Sequence, residues 1–284
     1  APPITKQNRK AMIQEFQTYL TAIKGYSQST AEGYGKDLRD FAKHMKETRE
    51  GARWTTIKRE DIDAYVIKLD EAGKTPSTIN RRIAAIKAAY KYMKRQGIIT
   101  ESPAQYMTMH KRAKRQPNTI PAADLEAAIQ GTSGTIHIML RLLSATGIRI
   151  QELLDIKQSD IETAEMRIKI CGKGRKERYV YIDETTLKET QEYFDGRPEQ
   201  PFGGIGQREV RHAIWQTLRK YSTARQLSPH AIRHTYATEL AKQGCNVTTL
   251  ASILGHEDIK TTQHYIDLAQ SDTKQAQMEF KLIN

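Results

Sequence analysis

Six side chains suited to phosphate chemistry lie in the second half of the chain, and most of them fall within residues 228–266. They are Arg149, Lys173, His230, Arg233, His256 and Tyr265. Arginine offers planar, paired donors to phosphate oxygens, histidine transfers protons near neutral pH, and a tyrosine hydroxyl can form a covalent bond to phosphorus. These residue types together predict one site for breaking and rejoining a DNA phosphodiester.

The stretch begins with a helix start that would place two of these side chains together. Ser228 is a good N-cap, and Pro229 suits the first helical position. His230 and Arg233, three residues apart, then share a face of the first turn, at the positive end of the helix dipole. This position favours an anion such as a phosphate.

His256 and Tyr265 need a break in the helix if they are to meet. At about 100° per residue, one unbroken helix would point them to opposite sides. Gly255 predicts the end of one helix, and residues 257–258 predict the start of another. Two helices joined by this turn could bring both side chains to one pocket.

Helices are predicted to precede this stretch over residues 121–130 and 135–145. Arg149 and Glu152 follow at the head of the next helix, three residues apart. In that position Glu152 either orients a neighbouring cation or forms a plain helix-surface pair.

A small antiparallel sheet is predicted between these helices and the stretch. Residues 166–171 alternate as a strand, and residues 178–182 read as its partner. The turn between them is rich in glycine and cations and carries Lys173 and Arg175. It lacks the glycine spacing and the following Ser or Thr of a nucleotide-binding P-loop.

The first part of the chain is predicted to be helical throughout, because its apolar residues recur at helical spacing. One helix covers residues 6–24, and a second begins at a capping box of residues 29–32. A third runs over residues 59–71, and a fourth starts at residues 75–76.

Cations gather on one flank of the fourth helix and in the segment that follows it. The candidate DNA-binding residues are Asn80, Arg81, Lys87, Lys91, Lys94, Arg95, Lys111, Arg112, Lys114, Arg115 and, in the strand–strand turn, Arg175. A solvated charged face is the alternative interpretation. The helix flank has no acidic partners one turn away, which favours contact with phosphate.

The net charge of +12 lies wholly in the first part of the chain. Residues 1–116 carry 24 Lys and Arg against 12 Asp and Glu, whereas residues 117–284 carry 21 of each. A basic half beside a neutral half indicates a nucleic-acid partner.

Composition argues against several classes of protein. A hydrophobic content of 38% and a charged content of 27% predict a soluble globular protein, and no apolar run is long enough to span a membrane. The opening residues lack a signal-peptide core. Cys171 and Cys245 lack zinc spacing, so we expect reduced thiols in a cytoplasmic protein, with no metal and no cofactor.

Four sequence boxes resemble those of the tyrosine recombinases, the Xer and phage-integrase group. TGIRIQELLDIKQSDI is similar to the box of the family's first arginine, and ICGKGRKERYVYI to its strand–turn–strand with the catalytic lysine. SPHAIRHTYATEL is similar to the HxxR box, and LGHEDIKTTQHYI to the box of the second histidine and the nucleophilic tyrosine. YSQSTAEGYGKDLRDF and TPSTINRRIAAIKAAYKYM resemble the family's helical core-binding domain.

The resemblance implies a mainly α fold with a small antiparallel sheet. Residues 1–108 would form a helical core DNA-binding domain, residues 109–119 a basic linker, and residues 120–284 an α+β catalytic domain. It implies a site-specific recombinase that works through a covalent 3′-phosphotyrosyl intermediate and a Holliday junction. The short form is similar to Xer proteins or to transposon-encoded cointegrate resolvases of the TnpI type, which resolve or integrate mobile DNA.

Each catalytic candidate then has an expected role. Tyr265 is the nucleophile, and Arg149 and Arg233 bind the phosphate. The resemblance implies that Lys173 protonates the departing 5′ oxygen. The two remaining candidates are His230, the expected proton acceptor, and His256, an expected hydrogen-bond donor to the phosphate.

The expected partner is a double-stranded DNA recombination site, bound by a homotetramer that holds two duplexes. The resemblance implies that the tail after Tyr265 docks on a neighbouring protomer, and a frayed terminus is the alternative. Two other functions stay open. One is a DNA-binding regulator without enzymatic activity, and the other is a metal-dependent nuclease that uses His230, His256, Glu257, Asp258 and Asp267.

Overall fold

The computed structural model describes residues 6–111, 118–172, 176–256, 258–267 and 269, with side chains from Lys10 onward. The chain divides into two compact units, Ala1–Lys114 and Arg115–Asn284. The division falls inside the predicted linker, residues 109–119. Both cysteines are free thiols. Among the described helices, none is long and apolar enough to cross a membrane.

The first unit is a bundle of helices around an aromatic-rich core. Its helices are α1 (Lys6–Thr18, continued by a π-helical turn, Tyr19–Ile23), α2 (Gln28–Thr48), α3 (Arg59–Glu71) and α4 (Pro76–Arg95). Phe16, Phe41 and Tyr90 are fully buried in this core. The helix over residues 59–71 and the helix start at Thr75-Pro76 are thereby confirmed.

The start of α2 differs from the prediction. Its N-cap is Ser27, whose hydroxyl accepts a hydrogen bond from the backbone N–H of Thr30 at 3.3 Å. Glu32 accepts from the Gln28 side chain instead of completing a capping box with Ser29. The predicted box was therefore wrong by two residues, because three hydroxyl residues close together offer competing caps.

The second unit surrounds its own core with helices. They are α5 (Ala122–Gln130), α6 (Gly134–Thr146), α7 (Ile150–Leu154), α8 (Glu184–Phe194), α9 (Gln207–Leu218), α10 (Pro229–Lys242), α11 (Val247–Leu254) and α12 (residues 260–267). The buried residues Leu140, Leu153 and Ile214 belong to one apolar cluster that joins α6, α7 and α9. The predicted helices over residues 121–130 and 135–145 are confirmed.

A three-stranded antiparallel sheet packs against these helices, in the order β1 (Ile161–Glu162), β2 (Arg167–Cys171), β3 (Glu177–Tyr181). Ile168 and Val180 pair across β2 and β3 and face the core. The predicted strand pair is confirmed, and so is the fold class: mainly α with a small antiparallel sheet. Strand β1 was not predicted, because two residues are too short to show alternation.

Helix ends place the candidate catalytic residues. The Ser228 hydroxyl caps α10 by accepting from the backbone N–H of Ala231 at 3.2 Å, with Pro229 in the first turn, as predicted. Helix α11 ends at Gly255, which has a left-handed backbone with φ of 63°. Arg149 is the N-cap residue of the short helix α7. The three helix ends therefore bring residues that are distant in sequence to one place.

Candidate active site

A cavity of about 650 Å³ opens in the second unit where these helix ends meet. Four of the six predicted catalytic residues line it: Arg149, His230, Arg233 and His256. Lys173 and Arg175 lie outside the described residues, although Gly172 and Lys176 on either side of that turn also line the cavity. Tyr265 does not line the cavity, since its side chain is buried in an adjacent cluster.

Three arginines donate hydrogen bonds to three successive backbone carbonyls at the end of α11. The pairs are Arg178 Nε with Ile253 O at 2.9 Å, Arg233 Nη2 with Leu254 O at 2.6 Å, and Arg149 Nη2 with Gly255 O at 2.9 Å. The last carbonyls of a helix lack partners within the helix and carry partial negative charge. They therefore fix the orientation of three cations that would otherwise repel one another.

Arg233 is almost completely buried, with 3% of its surface exposed. Its second nitrogen, Nη1, donates to the backbone carbonyl of Gly147 at 2.7 Å. Burial first, and then the charge of Arg149, lowers the pKa of Arg233 to about 10. The guanidinium is still positively charged at neutral pH, as phosphate binding requires.

Glu152 receives both Arg149 and a second arginine that the sequence did not single out, Arg178. The carboxylate of Glu152 is 5% exposed, and Arg178 donates to both of its oxygens at 2.9 and 2.8 Å. Arg149 adds its backbone N–H at 2.7 Å and Nη1 at 2.8 Å. Burial raises the pKa of Glu152, but the hydrogen bonds from Arg178 and Arg149 outweigh it, so the net pKa is lowered.

Of the two interpretations of Glu152, the structure thus supports an orienting role. Nothing in its spacing distinguished it from a helix-surface pair, because its second partner lies 26 residues away, on β3. Arg178 was predicted only as the first residue of a strand, which gave no sign of this contact.

His256 accepts a hydrogen bond from Arg233 Nη2 through Nε2, at 3.0 Å. A guanidinium can only donate, so the ring proton is on Nδ1, which donates to the Thr262 hydroxyl at 2.8 Å. Burial and the charges of Arg233 and Arg149 lower the pKa of His256 to about 4. The histidine is therefore neutral, and it could donate to a phosphate only after its ring proton moves to Nε2 or a second proton binds.

Tyr265 is paired with a residue that was not predicted, His234. The Tyr265 hydroxyl lies 2.5 Å from Nδ1 of His234, and the tyrosine is 3% exposed. His230, the predicted partner, packs edge-on against His234 with ring centroids 4.5 Å apart. The Tyr265 hydroxyl is therefore bonded to His234, and the expected proton transfer from Tyr265 to His230 stays a prediction. The sequence places His234 one helical turn after His230 but gives no sign of its pairing with Tyr265, 31 residues away.

Both members of this pair are uncharged. Burial raises the pKa of Tyr265, although Arg233 opposes the shift. Burial, and then His230 and Arg233, lower the pKa of His234 to about 4. The phenol therefore keeps its proton and donates it to Nδ1. Partial burial and the charges of Arg233 and Arg149 also lower the pKa of His230.

The predicted DNA-binding residues of α4 divide into two groups. Asn80 is 5% exposed, and its amide both donates to and accepts from the backbone of His110, at 2.9 and 2.7 Å. Lys87 donates to the carbonyl of Met107 at 2.9 Å. These two side chains hold residues 107–110, and contact of either with DNA stays a prediction.

The second group is exposed. Lys91 and Lys94 on α4 and Lys111 after it face solvent. Arg95 donates to the Tyr19 hydroxyl at 3.1 Å, and Arg81 forms a 2.6 Å ion pair with the buried Asp37. The remaining candidates, Arg112, Lys114 and Arg115, lie outside the described residues.

Across the described ranges, no three His, Cys, Asp or Glu side chains form a group that could hold a metal ion. Glu257, one of the residues named for a nuclease, lies outside those ranges.

Two sequence families match the two parts of the chain. Residues 120–272 match the phage integrase family, and residues 13–97 match the phage integrase N-terminal SAM-like domain. The chain belongs to the phage integrase family of tyrosine recombinases. It is accordingly a tyrosine site-specific recombinase, as the four boxes predicted.

Individual relatives agree with this assignment. The tyrosine recombinase XerC of Herpetosiphon aurantiacus is 31% identical over 273 residues, covering 89% of each chain. The tyrosine recombinase XerD of Oceanobacillus iheyensis is 27% identical over 282 residues, covering 92% of this chain and 95% of its own.

Solved structures share the fold at lower identity. XerH recombinase bound to a palindromic difH substrate superposes with a TM-score of 0.73 at 16% identity, covering 96% of this chain and 89% of XerH. The Tn1549 transposon integrase in complex with circular intermediate DNA has a TM-score of 0.70 at 18% identity, covering 93% and 99%. At this identity the likeness shows the fold alone.

Proposed function

We propose that this recombinase cuts DNA by forming a covalent bond between Tyr265 and a 3′ phosphate, and that it exchanges strands through a Holliday junction. The observation that carries the proposal is the convergence of Arg149, Arg233 and His256 on one cavity beside the buried Tyr265. A phosphodiester in this cavity would meet two oriented guanidinium groups.

In the cleavage step, the Tyr265 oxygen bonds to phosphorus while the bond from phosphorus to the 5′ oxygen breaks. The phenolic proton passes to a histidine, and the departing 5′ oxygen takes a proton, which the resemblance assigns to Lys173. Attack by a 5′ hydroxyl from the other duplex reverses these changes and releases the tyrosine. The phosphotyrosyl link conserves the energy of the bond, so no nucleotide hydrolysis is required.

The arginines supply the stabilisation that the transition state needs. Negative charge grows on the non-bridging oxygens, and preorganised donors in a partly buried site stabilise it strongly. Arg233 is held rigidly by Gly147 O and Leu254 O, and Arg149 by Glu152 and Gly255 O. Neither guanidinium has to reorganise when phosphate arrives.

Tyr265 has to leave His234 before it can attack. With a pKa of about 4, His234 is a weak base that holds the hydroxyl at rest. His230 lines the cavity and packs against His234, so we assign it the proton from Tyr265 once the hydroxyl turns toward phosphate.

For DNA binding, we propose phosphate contacts from the exposed cations Lys91, Lys94 and Lys111, with Arg112, Lys114, Arg115 and Arg175 as further candidates. One active site cuts one strand, and exchange between two duplexes requires four cuts. We therefore propose a homotetramer on two DNA duplexes. The Tn1549 integrase and XerH structures contain DNA, which supports a DNA recombination site as the partner. The biological role we propose is resolution or integration of mobile DNA.

The test uses duplexes selected from a random-sequence pool by binding to the protein, called here the selected duplexes. They are end-labelled, incubated with the protein in EDTA and resolved on a denaturing gel. Wild-type protein should retain label covalently, while Tyr265→Phe should bind the selected duplexes normally and retain none, because only the phenolic oxygen is removed.

Other results would point to the other functions. An adduct that persists in Tyr265→Phe would mean that another residue is the nucleophile, with Tyr236 the first to examine. Free nicked ends that appear only with added Mg²⁺ would indicate a nuclease, and binding without cleavage would indicate a regulator.

A further inference from the structure

Arg178 joins three elements of the catalytic unit. It lies on β3, its Nη1 and Nη2 donate to the two oxygens of Glu152 on α7, and its Nε donates to Ile253 O at the end of α11. Only 14% of its side chain is exposed. Each of its three guanidinium nitrogens donates one hydrogen bond to protein, and Arg178 also lines the cavity.

The link continues from Glu152 to Arg149. The carboxylate that receives Arg178 also receives the backbone N–H and Nη1 of Arg149, at 2.7 and 2.8 Å. The Arg149 side chain is 41% exposed and lines the cavity. One buried carboxylate therefore connects two arginines that line the cavity, Arg178 at 14% and Arg149 at 41% side-chain exposure.

Burying the ionised Glu152 carboxylate without charged partners would cost free energy. An ionised carboxylate at 5% exposure needs several charged donors, and burial by itself favours its protonated form. The cations around Glu152 are Arg149 on α7, Arg178 on β3 and Arg233 on α10, whose pKa also responds to Glu152. Arg178 supplies two of the four hydrogen bonds and is the first of the favourable contributions that lower the pKa of Glu152.

We propose that Arg178 is a positioning residue for strand cleavage: it keeps Glu152 ionised and fixed, and Glu152 in turn holds Arg149 toward the phosphate. The inference rests on the proposed function, because it concerns how Arg149 is presented to DNA. Gly255 fits the same arrangement, since a side chain there would come within 3.0 Å of the Arg178 guanidinium.

The test measures covalent adduct formation on the selected duplexes as a function of pH. In wild type, Glu152 has a lowered pKa, so it stays ionised as pH falls across the assay range. In Arg178→Gln its pKa should rise, and Arg149 should lose its partner as pH falls through that raised value. The ratio of variant to wild-type rate should therefore fall toward acid pH, between about pH 8 and pH 5.

The size of the effect follows from the misplacement of Arg149. A displacement of about 1 Å in a catalytic group can cost on the order of 100-fold in rate, and we expect a loss of up to this size at the acid end. Arg178→Lys should be intermediate, because it keeps the charge but cannot reproduce the paired donors. Affinity for the selected duplexes should change little.

Two further variants separate positioning from simple destabilisation. Arg178→Gln combined with Glu152→Gln should lose the acid-dependent decline, because the residue that titrates is gone. Arg141→Gln is the matched control: Arg141 donates to both oxygens of Glu189, at 2.9 and 3.4 Å, in the same unit and away from the cavity. It should keep a pH profile parallel to that of wild type.

A wild-type rate and profile in Arg178→Gln would overturn the inference, and so would a uniform loss at every pH. If Arg178→Gln does not fold, the same decline must appear in Arg178→Lys, and a flat ratio there would overturn the inference equally. Tyr265→Phe is run alongside: an adduct in that variant would mean that the proposed function has failed, whatever Arg178 does.

Discussion

At the scale of single residues, Arg149 and Arg233 differ in how much they contribute to the stability of the fold. Arg233 spans the carbonyls of Gly147 and Leu254 and is 3% exposed, whereas the Arg149 side chain is 41% exposed. A substitution at Arg233 therefore leaves buried carbonyls without donors, and one at Arg149 does so to a smaller extent. Substitution at Arg149 should therefore affect mainly the reaction rate, whereas substitution at Arg233 should affect both the rate and the stability.

We expect Arg149→Lys to slow covalent adduct formation by roughly 10²-fold to 10³-fold, the scale of losing one preorganised donor to the transition state. The stability of the protein should change little. Arg233→Lys should slow the reaction by at least as much and also lower the free energy of unfolding by about 1–3 kcal/mol, because a single ammonium cannot reach both carbonyls. Adduct rates and urea unfolding measure the two effects.

Arg141→Lys is the control for replacing a guanidinium away from the cavity, because Arg141 donates a hydrogen bond to Glu189. Wild-type adduct rates in Arg149→Lys would show that its paired donors are not needed, and equal unfolding midpoints in both variants would contradict the role assigned to the buried carbonyls.

Sequence reasoning found the residues that stand in recognisable boxes and missed those whose role depends on distant partners. Tyr265 and Arg233 could be identified because they stand in the two boxes, SPHAIRHTYATEL and LGHEDIKTTQHYI, that resemble those of the family. His234 and Arg178 could not, because the first gains its role from a hydroxyl 31 residues away and the second from carbonyl and carboxylate groups 75 and 26 residues away. Only the folded chain brings those groups together.

At the scale of elements, the predictions succeeded where local physics dominates. The starts of α4 and α10 were correct because Thr75-Pro76 and Ser228-Pro229 combine a capping hydroxyl with a proline of fixed backbone geometry. The start of α2 was wrong because Ser27, Ser29 and Thr30 compete. Strand β1 exists only through pairing with β2, which the sequence does not encode locally.

Helix α4 carries Lys87, which is bonded to the backbone, and Lys91 and Lys94, which are exposed. We expect the two groups to affect the salt dependence of DNA binding differently. Replacing Lys91 and Lys94 together by Gln should weaken binding to the selected duplexes and reduce the slope of log affinity against log salt by up to about 0.9 for each lost phosphate contact. Lys87→Gln should act differently, because Lys87 is held by Met107 O. Its slope should stay closer to that of wild type.

The control for this measurement is the pair Lys43→Gln and Lys188→Gln, which removes two exposed lysines whose nearest partners are glutamates on their own helices. Their salt slope should match that of wild type. An unchanged slope in the Lys91 and Lys94 variant would return that flank to the interpretation of a solvated face.

At the scale of the whole molecule, charge and chemistry occupy different parts of the chain. The excess of positive charge lies within residues 1–116, whereas every candidate catalytic residue lies after residue 148. We therefore expect the first unit to supply most of the affinity that does not depend on DNA sequence, and the second to supply the reaction. The homotetramer proposed above would bring several copies of both units together.

The segment after α12 is the part of the chain that we expect to link the active sites of neighbouring protomers, because it follows the helix that carries Tyr265. Helix α12 carries the buried residues Thr262 and Tyr265. Thr262 is hydrogen-bonded to His256, and Tyr265 to His234. Residues 270–284 follow within three positions of this helix and lie outside the described part of the chain. This segment is joined through the chain to the helix that carries Tyr265. Its apolar side chains are Ala276, Met278, Phe280, Leu282 and Ile283.

Truncation after Asp272 should leave binding of one protomer to a half-site nearly intact, because the catalytic cavity and α4 are retained. It should impair cooperative assembly on full sites and recombination between them, since the apolar residues that would dock on a neighbour are removed. Native gels measure binding and assembly on half-length and full-length selected duplexes, and strand-exchange assays measure recombination.

Two double variants are matched controls for the truncation. Met278→Ala with Phe280→Ala should reproduce the defect in assembly and recombination. Gln275→Ala with Gln277→Ala changes polar positions of the same segment and should not. Cooperative assembly and recombination at wild-type levels in the truncated protein would show that the segment takes no part in either.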